Sequence, residues 1–236
     1  MNFTPIHPND LINEGAYVGN IIDFIDDNEY NEMLLVIEKI KNYSVTNRNT
    51  DLYCRYMFNG EKENYNYKHK ILLNEVEERD VYVQKNNLTI FQKWYEYTIN
   101  QKPNEIKYHS IFDKTSKKIL DHFYPNYEIN YNSSGAFTLY EDGHFIDYHT
   151  DGNNPGRVCV IIIYLSSELE YNSNSGGELV ITTNSQKKHI IKPIFGTFSL
   201  LDFTKNNIFH QVNMVKNGFK RYAFINFFNV KDGYIG

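Results

Sequence analysis

The chain has 236 residues, enough for one domain of ordinary size with an extension and enough to bury a core without disulfide bonds. Hydrophobic residues make up 41% and charged residues 22%, a composition typical of a soluble globular protein rather than a disordered one. The net charge is −5 and no long basic run is present, so general binding to nucleic acid is not expected.

The two cysteines, Cys54 and Cys159, lie far apart and form no CxxC motif, which excludes a zinc ribbon and a disulfide scaffold. The N-terminal stretch is acidic and polar where a secretion signal needs a basic start and an apolar run. The longest apolar stretch, at 158–165, is too short to cross a bilayer. We therefore expect a cytoplasmic protein without a membrane partner. Nothing in the sequence indicates an oligomeric state.

The first 125 residues show a mixed pattern in which helical segments are prominent. Three helices are predicted, at 29–43, 88–99 and 110–124. The first carries acidic residues early and lysines late, as the helix dipole favours, and the third ends just before Pro125. We expect residues 1–125 to form a helical or mixed region.

From about residue 127 the pattern changes to short strands separated by turn residues. Eight strands are predicted, at 136–140, 145–151, 157–165, 178–183, 188–193, 197–203, 209–215 and 220–228. No helical pattern interrupts them, which disfavours alternating βα units. The sequence therefore predicts an α+β fold that is mainly β, with a double-stranded β-helix (jelly roll) of eight strands over residues 126–236.

The stretch DYHTDG, residues 147–152, places His149 and Asp151 two positions apart in a predicted strand. Because side chains alternate along a strand, both point the same way, about 7 Å apart. An imidazole and a carboxylate at this spacing, completed by a second histidine, make a facial triad with open positions, which suits non-haem Fe(II). HxD alone is a weak signal, and a polar strand end running into a turn is the common alternative.

Three histidines compete to be the third ligand. His210, at the start of the seventh predicted strand, has apolar neighbours, as an inward-facing ligand would. His189 lies beside two lysines at an expected hairpin tip. His144 has the wrong parity, because it falls on the opposite strand face together with Ile146 and Tyr148. We therefore prefer His210.

The last predicted strand, KRYAFINFF, contains two basic residues in an otherwise apolar run. Arg221 shares a face with Ala223 and Phe227, whereas Lys220 lies on the other. A buried guanidinium without an anion is costly, so an arginine in this setting suits a bidentate clamp on a carboxylate. The alternative is that the basic side chains lie at the strand start and reach water.

These elements, in this order, resemble the iron(II)- and 2-oxoglutarate-dependent dioxygenases, specifically the prolyl 4-hydroxylase-like branch with the hypoxia-sensing prolyl hydroxylases. LYEDGHFIDYHTD resembles the family's segment leading into the iron ligands, GGELVI its GG-x-L strand, and FHQV followed by RYAFINFF its final strands. The resemblance covers about residues 130–229. For residues 1–125 it implies only that helices pack on one sheet of the core, in one integrated domain.

The resemblance implies a role for each matching position. Three residues would bind Fe(II) and form the catalytic centre: His149, Asp151 and His210. Three others would bind the cosubstrate 2-oxoglutarate: Arg221, which would hold the distal carboxylate, and Tyr140 and Tyr164, which would add hydroxyl groups.

Several positions leave alternatives open. Lys220 competes with Arg221, because a ten-residue gap from His210 favours the lysine while the RYA match favours the arginine, which we prefer. Tyr164 could instead be a cross-strand aromatic residue. Arg157 corresponds to a position near the substrate mouth of the oxygen sensors, or it caps a turn. Phe227 replaces the more usual tryptophan.

The activity implied by the resemblance is hydroxylation by O2 with Fe(II) and 2-oxoglutarate, releasing succinate and CO2, and ascorbate is compatible with it. A prolyl residue in a peptide or protein is the expected substrate. Two alternatives remain: hydroxylation of a free amino acid, another small molecule or a modified base, and a non-catalytic jelly-roll binding module whose His/Asp constellation is accidental.

Overall fold

The structure, a computed structural model, describes residues 13–44, 48–58, 61–62, 69–71, 88–99, 107–130, 135–152, 156–204 and 208–231. Within these described residues, two long α-helices are present, α1 (Asp27–Ser44) and α2 (Lys107–Phe123). Six described strands come before the first of the eight predicted strands, namely β1 (Ala16–Asn20), β2 (Arg48–Phe58), β3 (Glu61–Lys62), β4 (His69–Ile71), β5 (Leu88–Ile99) and β6 (Ile129–Asn130). Eight follow, namely β7 (Ala136–Tyr140), β8 (Phe145–His149), β9 (Arg157–Tyr164), β10 (Leu179–Thr182), β11 (Lys188–Ile191), β12 (Thr197–Asp202), β13 (Phe209–Val212) and β14 (Arg221–Val230).

The predicted fold class is confirmed, with the eight predicted core strands corresponding to β7–β14. The seventh strand is shorter than predicted, because residues 213–216 leave the ladder. They bond to the loop before β10 instead: the amide of Gly177 donates to the carbonyl of Asn213, and the amide of Lys216 donates to the carbonyl of Ser175. This loop lies next to the candidate site described below.

Two of the three predicted helices are confirmed, as α1 and α2. The start of α1 is fixed by a capping box, in which Asp26 Oδ1 accepts from the amide of Glu29 and Glu29 Oε2 accepts from the amide of Asp26. The predicted helix at 88–99 is wrong, because this segment is the strand β5, paired antiparallel with β2. Its sequence, LTIFQKWYEYTI, is rich in β-branched and aromatic residues, whose strand preference outweighs an ambiguous period.

The strands form two antiparallel layers. The first has the order β1-β12-β9-β14-β7, and the second has the order β8-β13-β10-β11. Strand β5 joins the two layers along one side, because it pairs with both β7 and β8.

Apolar side chains fill two separate cores, one on each face of the first layer. On the outer face, α1 and α2 pack through residues such as Met33, Phe112 and Leu120 against the first layer, which is the helix packing expected for this fold. The inner core lies between the layers and contains Tyr164 and Ala223. In the residues that the structure describes, no helix is both long and apolar enough to cross a membrane.

Candidate metal centre and anion site

Three potential metal ligands, His149, Asp151 and His210, lie close together, and we call them the iron site. Their ligand atoms all lie within 4.8 Å of one another. Asp151 Oδ2 is 3.5 Å from His210 Nε2 and 3.9 Å from His149 Nε2. Both histidines are buried and Asp151 is partly exposed, so one ion could contact all three while remaining open to one side.

The register of β8 and β13 brings the two histidines together, because His149 and His210 are direct antiparallel partners. The register shifts between this pair and the next, Ile146 with Val212, so two residues of β8, at 147 and 148, face the single Gln211 of β13 as in a bulge. Ile146 therefore packs into the inner core. Our prediction that Ile146 lies on the face opposite the ligands is wrong for this reason. Tyr148 is exposed.

The electrostatics of the iron site favour a neutral imidazole at His210. Burial lowers the pKa of His210 to about 3, and the neighbouring His149 acts in the same direction, while Asp151 opposes the shift. A neutral imidazole with a carboxylate beside it is the form in which these side chains bind a divalent metal. The donor set of two nitrogens and one oxygen matches the facial triad of non-haem iron sites.

Arg157, the first residue of β9, contacts the carboxylate ligand. Its Nη1 donates to the backbone carbonyl of Asp151 at 3.3 Å and lies 3.8 Å from Asp151 Oδ1. Its guanidinium also stacks over the ring of Phe227, with Cζ 4.2 Å from the ring centroid. Arg157 is therefore more than a turn cap, since it restrains a candidate metal ligand.

A buried arginine, Arg221, lies on the face of the first layer that borders the inner core. Arg221 is 1% exposed, and its Nε donates to the carbonyl of Gly177 at 2.8 Å. Its Nη1 has no hydrogen-bond partner among the described residues. A buried donor left unpaired in this way is costly, which is typical of a site that binds an anion.

Two tyrosine rings flank the guanidinium, and we call Arg221, Tyr140 and Tyr164 the anion site. Arg221 Cζ lies 5.0 Å from the ring centroid of Tyr140 and 5.5 Å from that of Tyr164. The Tyr164 hydroxyl is hydrogen-bonded to Ser199 Oγ at 2.9 Å. Burial raises the pKa of Tyr164 to about 12, an effect that Arg221 and Ser199 oppose. The phenol therefore stays protonated and can donate a hydrogen bond.

The competing side chains lie elsewhere. The Lys220 side chain is 52% exposed and lies 3.4 Å from Glu141 Oε1. His144 is buried beside the β7–β8 turn, where its Nδ1 accepts from the amide of Glu141. His189 is on the edge strand β11 and is separated from His210 by Ile181 on β10. None of the three belongs to the described metal-ligand group.

Two contributors to the anion site were missed by the sequence interpretation, Ser199 and Gly177. A serine in the middle of the apolar strand TFSLLD is a visible signal, because a buried hydroxyl needs a partner. The GG pair at 176–177 is also visible, but nothing local to it indicates that its carbonyl faces an arginine 44 positions later.

The arrangement can be compared with known proteins. Residues 135–229 match the family model described as the 2OG-Fe(II) oxygenase superfamily. The matched range contains every residue of the iron site and of the anion site. No curated protein matches the chain significantly in sequence.

Solved structures share the fold over most of the chain. A prolyl-4-hydroxylase from Pseudomonas putida has 14% identity and a TM-score of 0.55, covering 95% of this chain and 97% of its own. A prolyl hydroxylase from Trichoplax adhaerens, solved with a hypoxia inducible factor oxygen degradation domain peptide fragment, has 20% identity and a TM-score of 0.56, covering 95% and 88%. A 2OG-Fe(II) oxygenase family oxidoreductase from Burkholderia pseudomallei has 13% identity and a TM-score of 0.57, covering 94% and 88%. Because the sequence identities are this low, the structural similarity to these three proteins establishes a shared fold and nothing further.

Proposed function

Residues 135–229 belong to the 2OG-Fe(II) oxygenase superfamily, and from this premise we propose that the protein hydroxylates a prolyl residue in a peptide or protein, with release of succinate and CO2. The protein is an oxygenase that uses Fe(II), 2-oxoglutarate and O2. Together, Fe(II) and 2-oxoglutarate supply the oxidative chemistry, in which one oxygen atom of O2 enters succinate and the other enters the hydroxyl group of the product.

The iron site is where this chain would hold the metal. His149 and His210 would bind through Nε2 and Asp151 through Oδ2, the atoms that approach one another most closely. Three protein ligands leave positions for the cosubstrate and O2, as an iron oxygenase requires. Arg157 restrains the Asp151 carboxylate from the side.

The anion site is where this chain would bind the distal carboxylate of 2-oxoglutarate. The single observation that carries this assignment is the buried guanidinium of Arg221, whose Nη1 is unpaired among the described residues. A carboxylate would satisfy that donor and neutralise the buried charge. The hydroxyls of Tyr140 and Tyr164 would add donors beside it, while the exposed Lys220 would not take part.

The choice of a peptidyl proline is supported by two observations. The Trichoplax adhaerens protein of similar fold was solved with a peptide fragment. In this chain, the partly buried ring of Phe227 lies under Arg157, whose Nη1 is 3.8 Å from Oδ1 of the candidate iron ligand Asp151. An apolar ring at this place could pack against the ring of a proline.

The substrate is tested by incubating the protein aerobically with Fe(II), 2-oxoglutarate and ascorbate in the presence of proline-containing peptides, free amino acids or nucleobases. We expect succinate release that depends on a peptide, together with a gain of one oxygen atom on its proline by mass spectrometry. The Asp151→Ala variant controls for adventitious iron. If only a free amino acid or a nucleobase stimulates succinate release, the prolyl assignment is wrong.

We also propose that residues 1–125 and 126–236 form one integrated domain. The packing of α1 and α2 on the first layer supports this, as does the position of β5 between β7 and β8. A fragment that starts at residue 126 should therefore unfold at a lower temperature than the full chain, or fail to fold. A cytoplasmic location stays a prediction.

A further inference from the structure

The loop before β10 passes unusually close to Arg221. Gly177 adopts a left-handed conformation, with φ of +76°, and its carbonyl accepts the hydrogen bond from Arg221 Nε at 2.8 Å. Its amide donates to the carbonyl of Asn213 at 3.1 Å. Asn213 directly follows β13, the strand that carries His210. One residue thus connects the anion site to the strand that supplies a candidate iron ligand.

There is little room for a side chain at this position. A Cβ atom added to Gly177 would lie 3.2 Å from Arg221 Cδ and 3.2 Å from Val215 Cγ2, tighter than ordinary van der Waals contact. At the preceding Gly176, a Cβ would overlap the carbonyl oxygen of Met214. The two glycines therefore allow the backbone to reach Arg221, and any side chain at position 177 would push against the arginine stem.

We propose that Gly177 is a positioning residue for the binding of 2-oxoglutarate, acting through Arg221. An arginine guanidinium is planar, so anchoring Nε to a fixed carbonyl sets the plane in which the remaining N–H groups lie. With Nε held by Gly177, the unpaired Nη1 is directed by the backbone rather than by a flexible partner. This inference rests on the assignment of Arg221 as the carboxylate anchor.

The test is the Gly177→Ala variant, compared with Gly218→Ala. Gly218 has a similar φ of +73°, but nothing lies within 4 Å of an added Cβ, so this control carries the same kind of backbone strain without the contact. We expect Gly177→Ala to raise the KM for 2-oxoglutarate about fivefold to tenfold, since small displacements of a binding group have large effects. The kcat at saturating 2-oxoglutarate and the affinity for Mn(II), used as a redox-stable probe, should stay within about twofold of wild type.

A double-mutant cycle with Arg221→Lys separates positioning from a general structural effect. Lysine has no Nε–H fork to place on the Gly177 carbonyl, so Gly177→Ala should add little to the KM in the Arg221→Lys background. If Gly177→Ala fails to fold, it is combined with Val215→Ala, because this second change removes the Cγ2 atom that lies 3.2 Å from the added Cβ.

Each outcome has a separate meaning. Gly177 is not a positioning residue if Gly177→Ala changes the KM for 2-oxoglutarate no more than Gly218→Ala does. The same conclusion follows if Gly177→Ala raises this KM by the same factor in the wild-type and the Arg221→Lys backgrounds. If Arg221→Lys leaves the KM for 2-oxoglutarate unchanged, the anchor assignment itself fails, and with it the proposed function of the anion site.

Discussion

The iron site and the anion site are built in different ways. The iron site comes from two neighbouring strands, since His149 and His210 are direct partners across one ladder and Asp151 lies two residues beyond His149, just past the end of β8. The anion site is assembled from distant segments: Arg221 receives its contacts from β7, β9 and the 176–177 loop, and β12 supports Tyr164. A site fixed by sheet register can be predicted from spacing, whereas a site fixed by packing between distant segments is harder to predict.

The largest effect is expected at the iron site. Replacing Asp151 with alanine removes the carboxylate ligand, so we expect turnover to fall at least about a hundredfold and Mn(II) affinity to fall with it. Isothermal titration with Mn(II) and succinate release measure the two quantities. Glu168→Ala, an exposed acid in the β9–β10 loop, is the matched control. Unchanged Mn(II) affinity in Asp151→Ala would exclude this residue as a ligand.

The adjacent basic residues give the next contrast. Arg221→Gln removes the buried charge, and we expect the KM for 2-oxoglutarate to rise about tenfold to a hundredfold, because an unpaired buried carboxylate is costly. Lys220→Gln should change it less than about twofold, since this side chain is exposed. Steady-state kinetics with varied 2-oxoglutarate decide between them. A larger effect from Lys220 would reverse the assignment.

These two sites also differ in how much of them the sequence predicts. The candidate iron ligands were predicted from the spacing of His149 and Asp151 and from the apolar neighbours of His210. The sequence gives no local sign that β8 ends at His149 or that a bulge turns Ile146 inward. For Arg221, the apolar strand around it indicates burial. Its hydrogen-bond partner Gly177 lies 44 residues earlier in the chain, and nothing in the local sequence indicates that contact. Strand β5 was predicted as a helix, because its pairing with β2 is equally non-local.

A smaller effect is expected from the hydroxyl that supports the anion site. Tyr164→Phe removes the hydroxyl bonded to Ser199 and leaves the ring, so we expect the KM for 2-oxoglutarate to rise about threefold to tenfold. Mn(II) affinity should not change. Ser199→Ala, which removes only the partner of the hydroxyl, should have a smaller effect. If Tyr164→Phe weakens Mn(II) binding by the same factor as it raises the KM for 2-oxoglutarate, the anion site and the iron site do not act separately.

The smallest effect should come from the residue beside the carboxylate ligand. Arg157→Gln removes the restraint on Asp151, so we expect Mn(II) affinity to fall about twofold to fivefold. This is less than the usual effect of losing a residue that supports a metal ligand, because the contact is partly exposed. The KM for 2-oxoglutarate should stay as in wild type. A change in that KM without a change in metal affinity would assign Arg157 to the anion site instead.

The most direct measurement of the central claim is anaerobic absorption spectroscopy with Fe(II) and 2-oxoglutarate. The wild-type protein should develop a weak visible charge-transfer band that saturates at about one Fe(II) per chain, as expected when an iron held by three protein ligands is chelated by the keto acid. Asp151→Ala should show no band, and Arg221→Gln should need more 2-oxoglutarate to reach it. A wild-type protein without a band, or an equal band in Asp151→Ala, would contradict the assignment of the iron site.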